Sequence, residues 1–314
     1  MADQISHIPV WERSGRGQLL EVPDGELIAY DAFFGSRDPA VVYLPAFDSP
    51  MHDIKSNFIK KYCSDHDHTF ITLDYYGRGD STGEFEEGTV SRWRDDCEHA
   101  IRTLLPNKGC VLVGGGIGGW LASLIASGSP ELVGAMIGLA ADPDFTENLL
   151  WRYLPEDKKA EIMSEGVATI TWGMSTYPVS KVLIEDAREN LVLGVDNGVK
   201  CWCPVRLIHG LNDEEVPYTV SLDLARALAA QDVTLQLIKT GNHHLDGDYI
   251  ITHIMDALRD CCLGYENPMF KNFPGRDPPR VPLPEVDPND YEPPGPLPPP
   301  RAKGAPPKAY ATGP

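Results

Sequence analysis

Residues 111–123, VLVGGGIGGWLAS, join an apolar run typical of a strand to one typical of a helix through five glycines in six positions. Glycine costs a strand or helix roughly 0.5–1 kcal/mol relative to alanine, so such a cluster needs a structural reason. A strand, then G-x-nucleophile-x-G, then a helix is the spacing of a nucleophile elbow. Here the pattern reads Gly114-Gly115-Gly116-Ile117-Gly118, and Gly116 stands at the nucleophile position. The cluster predicts an elbow that lacks its nucleophile.

Two other interpretations of the glycine cluster remain open. A dinucleotide-binding G-x-G-x-x-G fingerprint fits from Gly114 to Gly119, but it belongs in an early βαβ unit with an acidic residue about 20 residues on. This strand lies in the middle of the predicted sheet, and the next strand ends near Asp142, which disfavours dinucleotide binding. A purely structural glycine turn is the other alternative.

Strand-length runs of Val, Ile and Leu alternate with helix-length segments, and continuous apolar runs are typical of strands buried on both faces of a parallel sheet. A hairpin is predicted over 17–33, and further strands at 40–47, 69–76, 110–115, 132–141, 203–210 and 233–240. Helices are predicted between these strands, including one that Thr89 can cap. We therefore predict a mostly parallel, doubly wound α/β domain over residues 1–264, in which the alternation of strands and helices begins near residue 15.

Two segments depart from that rhythm. Residues 145–200 are predicted to be helical and to form a cap insertion, either as a substrate lid or as extra helices on the sheet. Residues 265–314 hold 16 of the 28 prolines and have no apolar periodicity, so a disordered or polyproline II tail is expected. Within it, Pro296–Arg301 (PLPPPR) has the P-x-x-P-x-basic form that SH3-type domains bind. A proline-rich linker is the alternative.

Two later strand ends carry the partners that an elbow requires, in the chain order nucleophile, acid, histidine. Asp213 follows the strand at 203–210, and His243 follows the strand at 233–240. Because sites in open α/β sheets form at the carboxyl ends of the strands, Asp213 is expected to orient His243 there. His244 is a neighbouring alternative to His243, and His209 is interpreted as structural.

Backbone amides complete the predicted site. The loop 43–50 follows the strand from which such folds donate an oxyanion-hole amide, so the N–H groups of Phe47 and Ile117 are predicted to form that hole. Asp48 is a possible acid or base, with a solvated loop aspartate as the alternative. The turn-rich loop 74–83 is expected to support the site through backbone hydrogen bonds.

Composition bounds the partners and the location. A net charge of −19 makes nucleic acid and anionic membrane surfaces poor partners. The seven cysteines form no CxxC pair or metal-ligand spacing, which favours reduced thiols, and neither a metal nor a cofactor is expected. No run is long enough to cross a membrane, and residues 1–17 lack the features of a signal or transit peptide. A cytoplasmic location is the resulting expectation.

Taken together, these motifs resemble the branch of the α/β-hydrolase-domain family that holds a mitochondrial palmitoyl-protein thioesterase, also an acyl-glucuronide esterase. The resemblance rests on LPAF, LDYYGRGDSTG, TVSRWRDD, VLVGGGIGGWL, RLIHGLNDEEVP and GNHHL. It implies an α/β-hydrolase fold with the acid at Asp213, the histidine at His243 and a serine where this chain has Gly116. The chain also departs from the family pattern at Ala46, where the family tends to have glycine, and at Asp48, which follows the expected donor amide. It has a proline-rich tail, and no transit peptide is expected.

Three hypotheses follow, because Ser81, Cys110 and Ser123 are too far from residue 116 along the chain or helix to replace the serine. The first is a silent hydrolase that binds an acyl ligand, ester or thioester, or a protein partner. The second is an enzyme in which His243 and Asp213 activate a water in the space left at Gly116, so that ester or thioester hydrolysis is weak. The third is a scaffold that acts through its tail.

Overall fold

The computed structural model describes residues 18–47, 49–106, 108–172, 175–194 and 198–266. The first 17 residues, Asp48 and nearly all of the predicted tail, including the segment Pro296–Arg301, lie outside the described residues. The expectations for them stay predictions.

An eight-stranded, mostly parallel sheet forms the centre of the described residues. Its spatial order is β1-β2-β4-β3-β5-β6-β9-β10, and only β1–β2 and β2–β4 pair antiparallel. The strands are β1 Gln18–Glu21, β2 Leu27–Phe33, β3 Arg37–Leu44, β4 His68–Leu73, β5 Cys110–Gly115, β6 Val133–Leu139, β9 Val205–Gly210 and β10 Val233–Ile238. The predicted hairpin and parallel strands are all present.

Helices cover both faces of this sheet. They are α1 Ile54–Asp65, α2 Val90–Leu104, α3 Ile117–Gly128, α4 Glu156–Glu165, α5 Lys181–Arg188, α6 Thr219–Ala227 and α7 Asp248–Glu266. Thr89 caps α2 as predicted, since its hydroxyl accepts a hydrogen bond from the Arg92 amide at 3.1 Å. Among the described residues, no helix combines the length and apolarity needed to cross a bilayer.

Two apolar clusters sandwich the sheet because successive strand residues point to opposite faces. On one face, Val41 and Val111 pack in the cluster that includes Ile59 of α1 and Ile254 of α7. On the other face, strand residues such as Val42 and Leu112 pack in a cluster with Trp93 of α2 and Trp120 of α3. This arrangement sets the strand ends, and the loops that follow them, in fixed positions along one edge.

The insertion between β6 and β9 contains the expected helices and also a hairpin that the sequence analysis did not predict. Strands β7 Val167–Trp172 and β8 Ser175–Ser180 pair antiparallel, after Gly166 ends α4 with a left-handed φ of 87°. Ile170 and Val179 point from this hairpin into a small separate cluster with Leu150 and Ile162. Alternating β-branched residues after a C-capping glycine were the available signal.

Candidate active site

Gly116 lies at the turn from β5 to α3, with φ 50° and ψ −122°. A side chain at Gly114 or Gly118 would collide with the backbone of Gly118 or Leu44, so these two glycines are required by the close approach of strand and helix. At Gly116, in contrast, an added Cβ would lie 3.2 Å from Ala46 Cβ and 3.5 Å from Asp142 Oδ2. The flanking glycines are needed for packing, while a Cβ at the central one would be in tight contact with Ala46 without meeting backbone.

Asp213 and His243 meet beside this turn. His243 Nδ1 donates a hydrogen bond to Asp213 Oδ2 at 2.9 Å. The other oxygen, Asp213 Oδ1, accepts from the amides of Glu215 at 3.0 Å and Val216 at 2.8 Å. The Asp213 side chain is fully buried and that of His243 is 13% exposed. Because Nδ1 is held by the acid, Nε2 is the nitrogen left to act on a ligand.

His209 adds a second imidazole donor to the same carboxylate. Its Nε2 lies 3.0 Å from the Val216 carbonyl oxygen and 3.1 Å from Asp213 Oδ2, while its Nδ1 lies 2.7 Å from Ser221 Oγ. Since a carbonyl oxygen only accepts, Nε2 carries the hydrogen and Nδ1 accepts from the serine hydroxyl. His209 thus has the structural position that the sequence suggested, and it also orients Asp213.

The protonation of the pair follows from these contacts. Burial raises the pKa of Asp213, but the hydrogen bonds from His209 and His243 outweigh it and hold the pKa below its usual range. Burial lowers the pKa of His243, but its hydrogen bond to Asp213 and the charges of Asp213, Asp142 and Glu215 outweigh burial and raise the pKa to about 9. The raised pKa favours the imidazolium form of His243, in which Nε2 can donate a proton.

Asp142 is a site residue that sequence reasoning missed. It follows β6, is 7% exposed, and its amide donates to the Gly116 carbonyl oxygen at 3.3 Å. Its carboxylate also contributes to the raised pKa of His243. From the sequence, Asp142 was interpreted only as the end of a strand. A carboxylate three residues after the end of a buried strand, which lies between the elbow strand and the acid strand, was the signal that could have found it.

An apolar cavity of about 50 Å³ opens beside His243. Its walls combine Ala46, Phe47 and Phe145 with residues of the insertion, namely Leu150, Ile170, Tyr177, Val179 and Leu183. Behind it, a smaller space of about 10 Å³ touches Gly116, His243 and Lys55. A space of about 10–15 Å³ is what one water needs. The site therefore has an apolar chamber for a ligand and a polar recess beside Gly116.

The predicted oxyanion amides lie at the expected turns. Ile117 is the first residue of α3, and the first amides of a helix have no partner within it. Phe47 follows Ala46, which lies against Gly116, and its ring packs edge-on against Phe145 and Tyr177 at centroid distances of 5.8 and 5.1 Å. Their role as oxyanion donors stays a prediction.

The loop after β4 contacts this region mainly through side chains rather than through the expected backbone hydrogen bonds. The Tyr75 hydroxyl donates to the Pro45 carbonyl oxygen at 2.8 Å, and Asp74 Oδ1 accepts from the Met51 amide at 3.1 Å. Ser81 also serves this loop, since its hydroxyl donates to the Asp74 carbonyl oxygen at 2.6 Å. The loop thus fixes the segment that carries Ala46 and Phe47.

Three alternatives to the predicted site residues have other partners. His244 offers its carbonyl oxygen to Lys55 Nζ at 2.8 Å, so His243 is the one that meets the acid. Ser123 Oγ donates to the Gly119 carbonyl oxygen inside α3. Cys110 donates to the Leu132 carbonyl oxygen at the opposite end of β5. The structure brings together Gly116, Asp213 and His243.

Comparisons with known proteins support the predicted resemblance. No protein-family model matches the chain. A palmitoyl-protein thioesterase ABHD10, mitochondrial, from Bos taurus is 32% identical over 258 residues, which span 78% of this chain and 81% of the relative. The Homo sapiens protein of the same name is 31% identical, over 76% of this chain and 77% of its own length.

Solved structures agree with these relatives. A hydrolase from Agrobacterium vitis S4 has a TM-score of 0.73 at 27% identity, covering 81% of this chain and 99% of its own. Mouse alpha/beta hydrolase domain-containing protein 10 has a TM-score of 0.67 at 29% identity, covering 81% and 97%. Est1E from Butyrivibrio proteoclasticus, at 17% identity and a TM-score of 0.60, shares the fold. The predicted fold class is confirmed.

The relatives correct one expectation. All five curated relatives are named as mitochondrial proteins, and the expectation of a cytoplasmic location is therefore wrong. That expectation rested on the composition of residues 1–17. Transit peptides are defined by a loose composition rather than by a fixed motif, so a short segment is weak ground for excluding one.

Proposed function

This chain belongs to the α/β-hydrolase family that includes palmitoyl-protein thioesterase ABHD10, and we propose that it binds acyl esters or thioesters without forming a serine acyl-enzyme. One observation carries the proposal: Gly116 has the elbow conformation and faces the hydrogen-bonded pair Asp213–His243, at the position where a nucleophile is required. The site thus has the acid and the histidine of a hydrolase, but it lacks the oxygen that would attack the substrate. The mitochondrial names of its relatives support the same location for this chain.

The remaining groups have defined tasks in the proposed function. The amides of Phe47 and Ile117 bind the carbonyl oxygen of the ligand, and Asp213 orients the His243 ring so that Nε2 faces its leaving group. Loss of the nucleophile costs triad hydrolases on the order of 10⁶ in kcat, and the oxyanion hole and binding retain about 10³–10⁴ over water. Hydrolysis is therefore expected to be weak rather than absent.

The cavity sets the size of the acyl group. At about 50 Å³ it is much smaller than the clefts of about 300–1,000 Å³ that bury drug-sized ligands. Most of its lining residues are apolar, and some of them, such as Ile170 and Tyr177, come from the insertion. A short acyl group such as butyryl fits this chamber better than a palmitoyl chain.

A labelling and binding experiment tests the proposal. We expect the wild-type protein to bind a non-hydrolysable butyryl thioether, measured by calorimetry, and to give no adduct with a fluorophosphonate. Substituting Tyr177→Trp, which fills the chamber, should weaken binding at least tenfold. A stoichiometric fluorophosphonate adduct would show that another serine is the nucleophile. Failure of both butyryl and palmitoyl ligands to bind would contradict the proposal as a whole.

A further inference from the structure

The Asp142 carboxylate lies close to the position that a serine side chain would take at residue 116. Its Oδ2 lies 3.5 Å from the position that a Cβ would take at Gly116. The hydrogen bond from its amide to the Gly116 carbonyl oxygen ties the two residues together. Asp142 and His243 line the same cavity, and Gly116 and His243 line the recess behind it. A group at the serine position would therefore have both Asp142 and His243 beside it.

The charged groups around His243 decide which of the two can accept a proton. Asp213 and Glu215 face it from the loop after β9, and Asp142 faces it from the end of β6. Lys55 of α1 lines the recess, but its ammonium lies 3.5 Å from Asp53 Oδ2 and donates to the His244 carbonyl oxygen. Three carboxylates thus keep His243 protonated, with a pKa raised to about 9. A protonated imidazole has no lone pair for a proton from water.

Resting on the proposed function, we propose that Asp142 is the general base of this site, for a water held beside Gly116 in the place of the absent serine oxygen. The recess of about 10 Å³ matches the size of one water, and glycine keeps that space open. Asp142 Oδ2 lies 3.5 Å from the Cβ position of Gly116, on the side of the larger cavity, and His243 lines both the cavity and the recess. The site has exchanged a serine and a basic histidine for a water, a carboxylate and an acidic histidine.

The reaction balances without any further reactant. Asp142 Oδ2 takes one proton from the water while the water oxygen forms a bond to the acyl carbon. The carbonyl oxygen becomes an oxyanion at the amides of Phe47 and Ile117. The bond from the acyl carbon to the leaving oxygen or sulfur then breaks, and His243 Nε2 gives that atom its proton. Transfer of the proton from Asp142 to His243 restores both groups, and the products are the acid and the alcohol or thiol.

The proposal predicts a direction of pH dependence that differs from that of a serine enzyme. Hydrolysis of an alkyl ester needs a protonated His243 to protonate the alkoxide that leaves, so kcat/KM of the wild-type protein for ethyl butyrate should fall as the pH rises through about 9. In the Gly116→Ser variant a neutral His243 must take the serine proton, so kcat/KM should rise toward the same pH. If kcat/KM rises with pH for both proteins, the base is His243 and the proposal is overturned.

A matched pair of variants tests the residue itself. Asp142→Asn keeps the shape and removes the base, and should lower kcat for p-nitrophenyl butyrate by about 10²–10⁴. Glu214→Gln removes the same charge from an exposed position on the loop after β9 and should leave kcat unchanged. NMR titration of the Asp142→Asn variant should show a pKa of His243 below that of the wild-type protein. A shifted but still raised pKa would show that the variant is folded and keeps the contact between His243 and Asp213. A folded Asp142→Asn variant within twofold of wild type would overturn the proposal.

Isotope labelling separates the remaining outcomes and needs no variant. In a single turnover in H₂¹⁸O, the proposal predicts ¹⁸O in the butyrate and none in the protein. If the first butyrate carries only ¹⁶O and Asp142 gains ¹⁸O, then Asp142 attacks directly and the water route is overturned. Binding of the butyryl thioether without any turnover overturns the proposal but leaves the proposed function standing. Absence of binding overturns both.

Discussion

The two edges of the central sheet carry cavities of opposite character. At the amino-terminal edge, a cavity of about 500 Å³ is bordered by Arg206, Asp232 and Asp260. The Arg206 guanidinium forms salt bridges with the Asp232 and Asp260 carboxylates at 2.8 Å, and all three side chains are partly exposed. At the carboxyl edge, the cavity is about ten times smaller, but it holds a buried acid–histidine pair with shifted pKa values beside an open backbone turn.

The volume of a cavity therefore does not identify the candidate site. At the amino-terminal edge the charges satisfy one another, and surface pairs of this kind contribute about 0–1 kcal/mol each. At the carboxyl edge the loops that follow the strands converge, and they bring titratable groups from β6, β9 and β10 to one point. Perturbed titration and convergence, rather than size, are the marks of function.

The largest expected effect comes from restoring an oxygen at the carboxyl edge. Above about pH 9, where His243 is neutral, Gly116→Ser should raise the hydrolysis of p-nitrophenyl butyrate by about 100-fold or more and create a fluorophosphonate adduct, because the Asp213–His243 pair is already in place. The gain should stay below the ~10⁶ that a nucleophile contributes, since Ala46 and Asp142 crowd the new side chain. Backbone strain at this φ should cost roughly 1–3 kcal/mol in the free energy of unfolding.

A serine at the other end of the same helix is the control. Gly128 ends α3 and has no neighbour within 4 Å of an added Cβ, so Gly128→Ser should change neither labelling nor turnover. Adding His243→Ala to Gly116→Ser should remove the gained activity. A folded Gly116→Ser protein that binds the butyryl thioether but neither labels nor hydrolyses would mean that the oxyanion amides are misplaced.

The second-largest expected effect is the difference between substituting a charged residue at the carboxyl edge and substituting one at the amino-terminal edge. His243→Ala should lower the weak hydrolysis of ethyl butyrate by the wild-type protein by about 10²–10⁴, because the alkoxide leaving group loses its proton donor. Arg206→Gln should leave hydrolysis unchanged and lower the free energy of unfolding by about 1 kcal/mol or less. Steady-state kinetics and urea unfolding of both variants give the comparison. Equal loss of activity in the two would remove the distinction between the edges.

A smaller effect is expected in the pH dependence of stability. The pKa of His243 is about 9 in the folded protein against 6.5 for its ordinary value. The folded state therefore binds the proton more tightly, and this stabilisation is fully present below about pH 6.5 and is lost as the pH rises through 9. Across that window the free energy of unfolding should fall by up to about 3 kcal/mol.

Chemical unfolding at fixed pH values measures this slope. His243→Gln should flatten the part of the curve between pH 6.5 and 9, since the titrating group is gone. Arg206→Gln, at the other edge, should keep the slope of the wild-type protein. A wild-type curve that is flat over this window would contradict the raised pKa.

The smallest effect concerns the support of the oxyanion segment. Tyr75→Phe removes the buried hydrogen bond to the Pro45 carbonyl oxygen and should cost about 1–3 kcal/mol in the free energy of unfolding. In the Gly116→Ser background it should also lower kcat a few-fold with little change in KM, because the Phe47 amide shifts. Tyr76→Phe, whose hydroxyl bonds to Glu87 nearer the surface, serves as the matched control. A similar loss of kcat in both variants would exclude this specific role of Tyr75.

The carboxyl-edge site could be predicted in part. Apolar runs located the strands, and the residues after them placed Asp213 and His243 at one edge, since parallel strands end on the same side. The hairpin β7–β8 was not predicted because its short alternating runs compete with helical patterns nearby. Asp142 was missed because one carboxylate after a strand is common, and nothing in the chain order shows which side chain it will approach.

Local periodicity and spacing predicted the strands and helices of the α/β sheet, and they indicated Gly116, Asp213 and His243 as candidate site residues. Packing in three dimensions set the remaining contacts. It set Asp142 Oδ2 3.5 Å from the Cβ position of Gly116, gave His209 a bond to Asp213, and used the insertion to close the chamber. Those contacts join residues distant along the chain, and through-space packing and electrostatics, rather than spacing, set their distances and the pKa of His243.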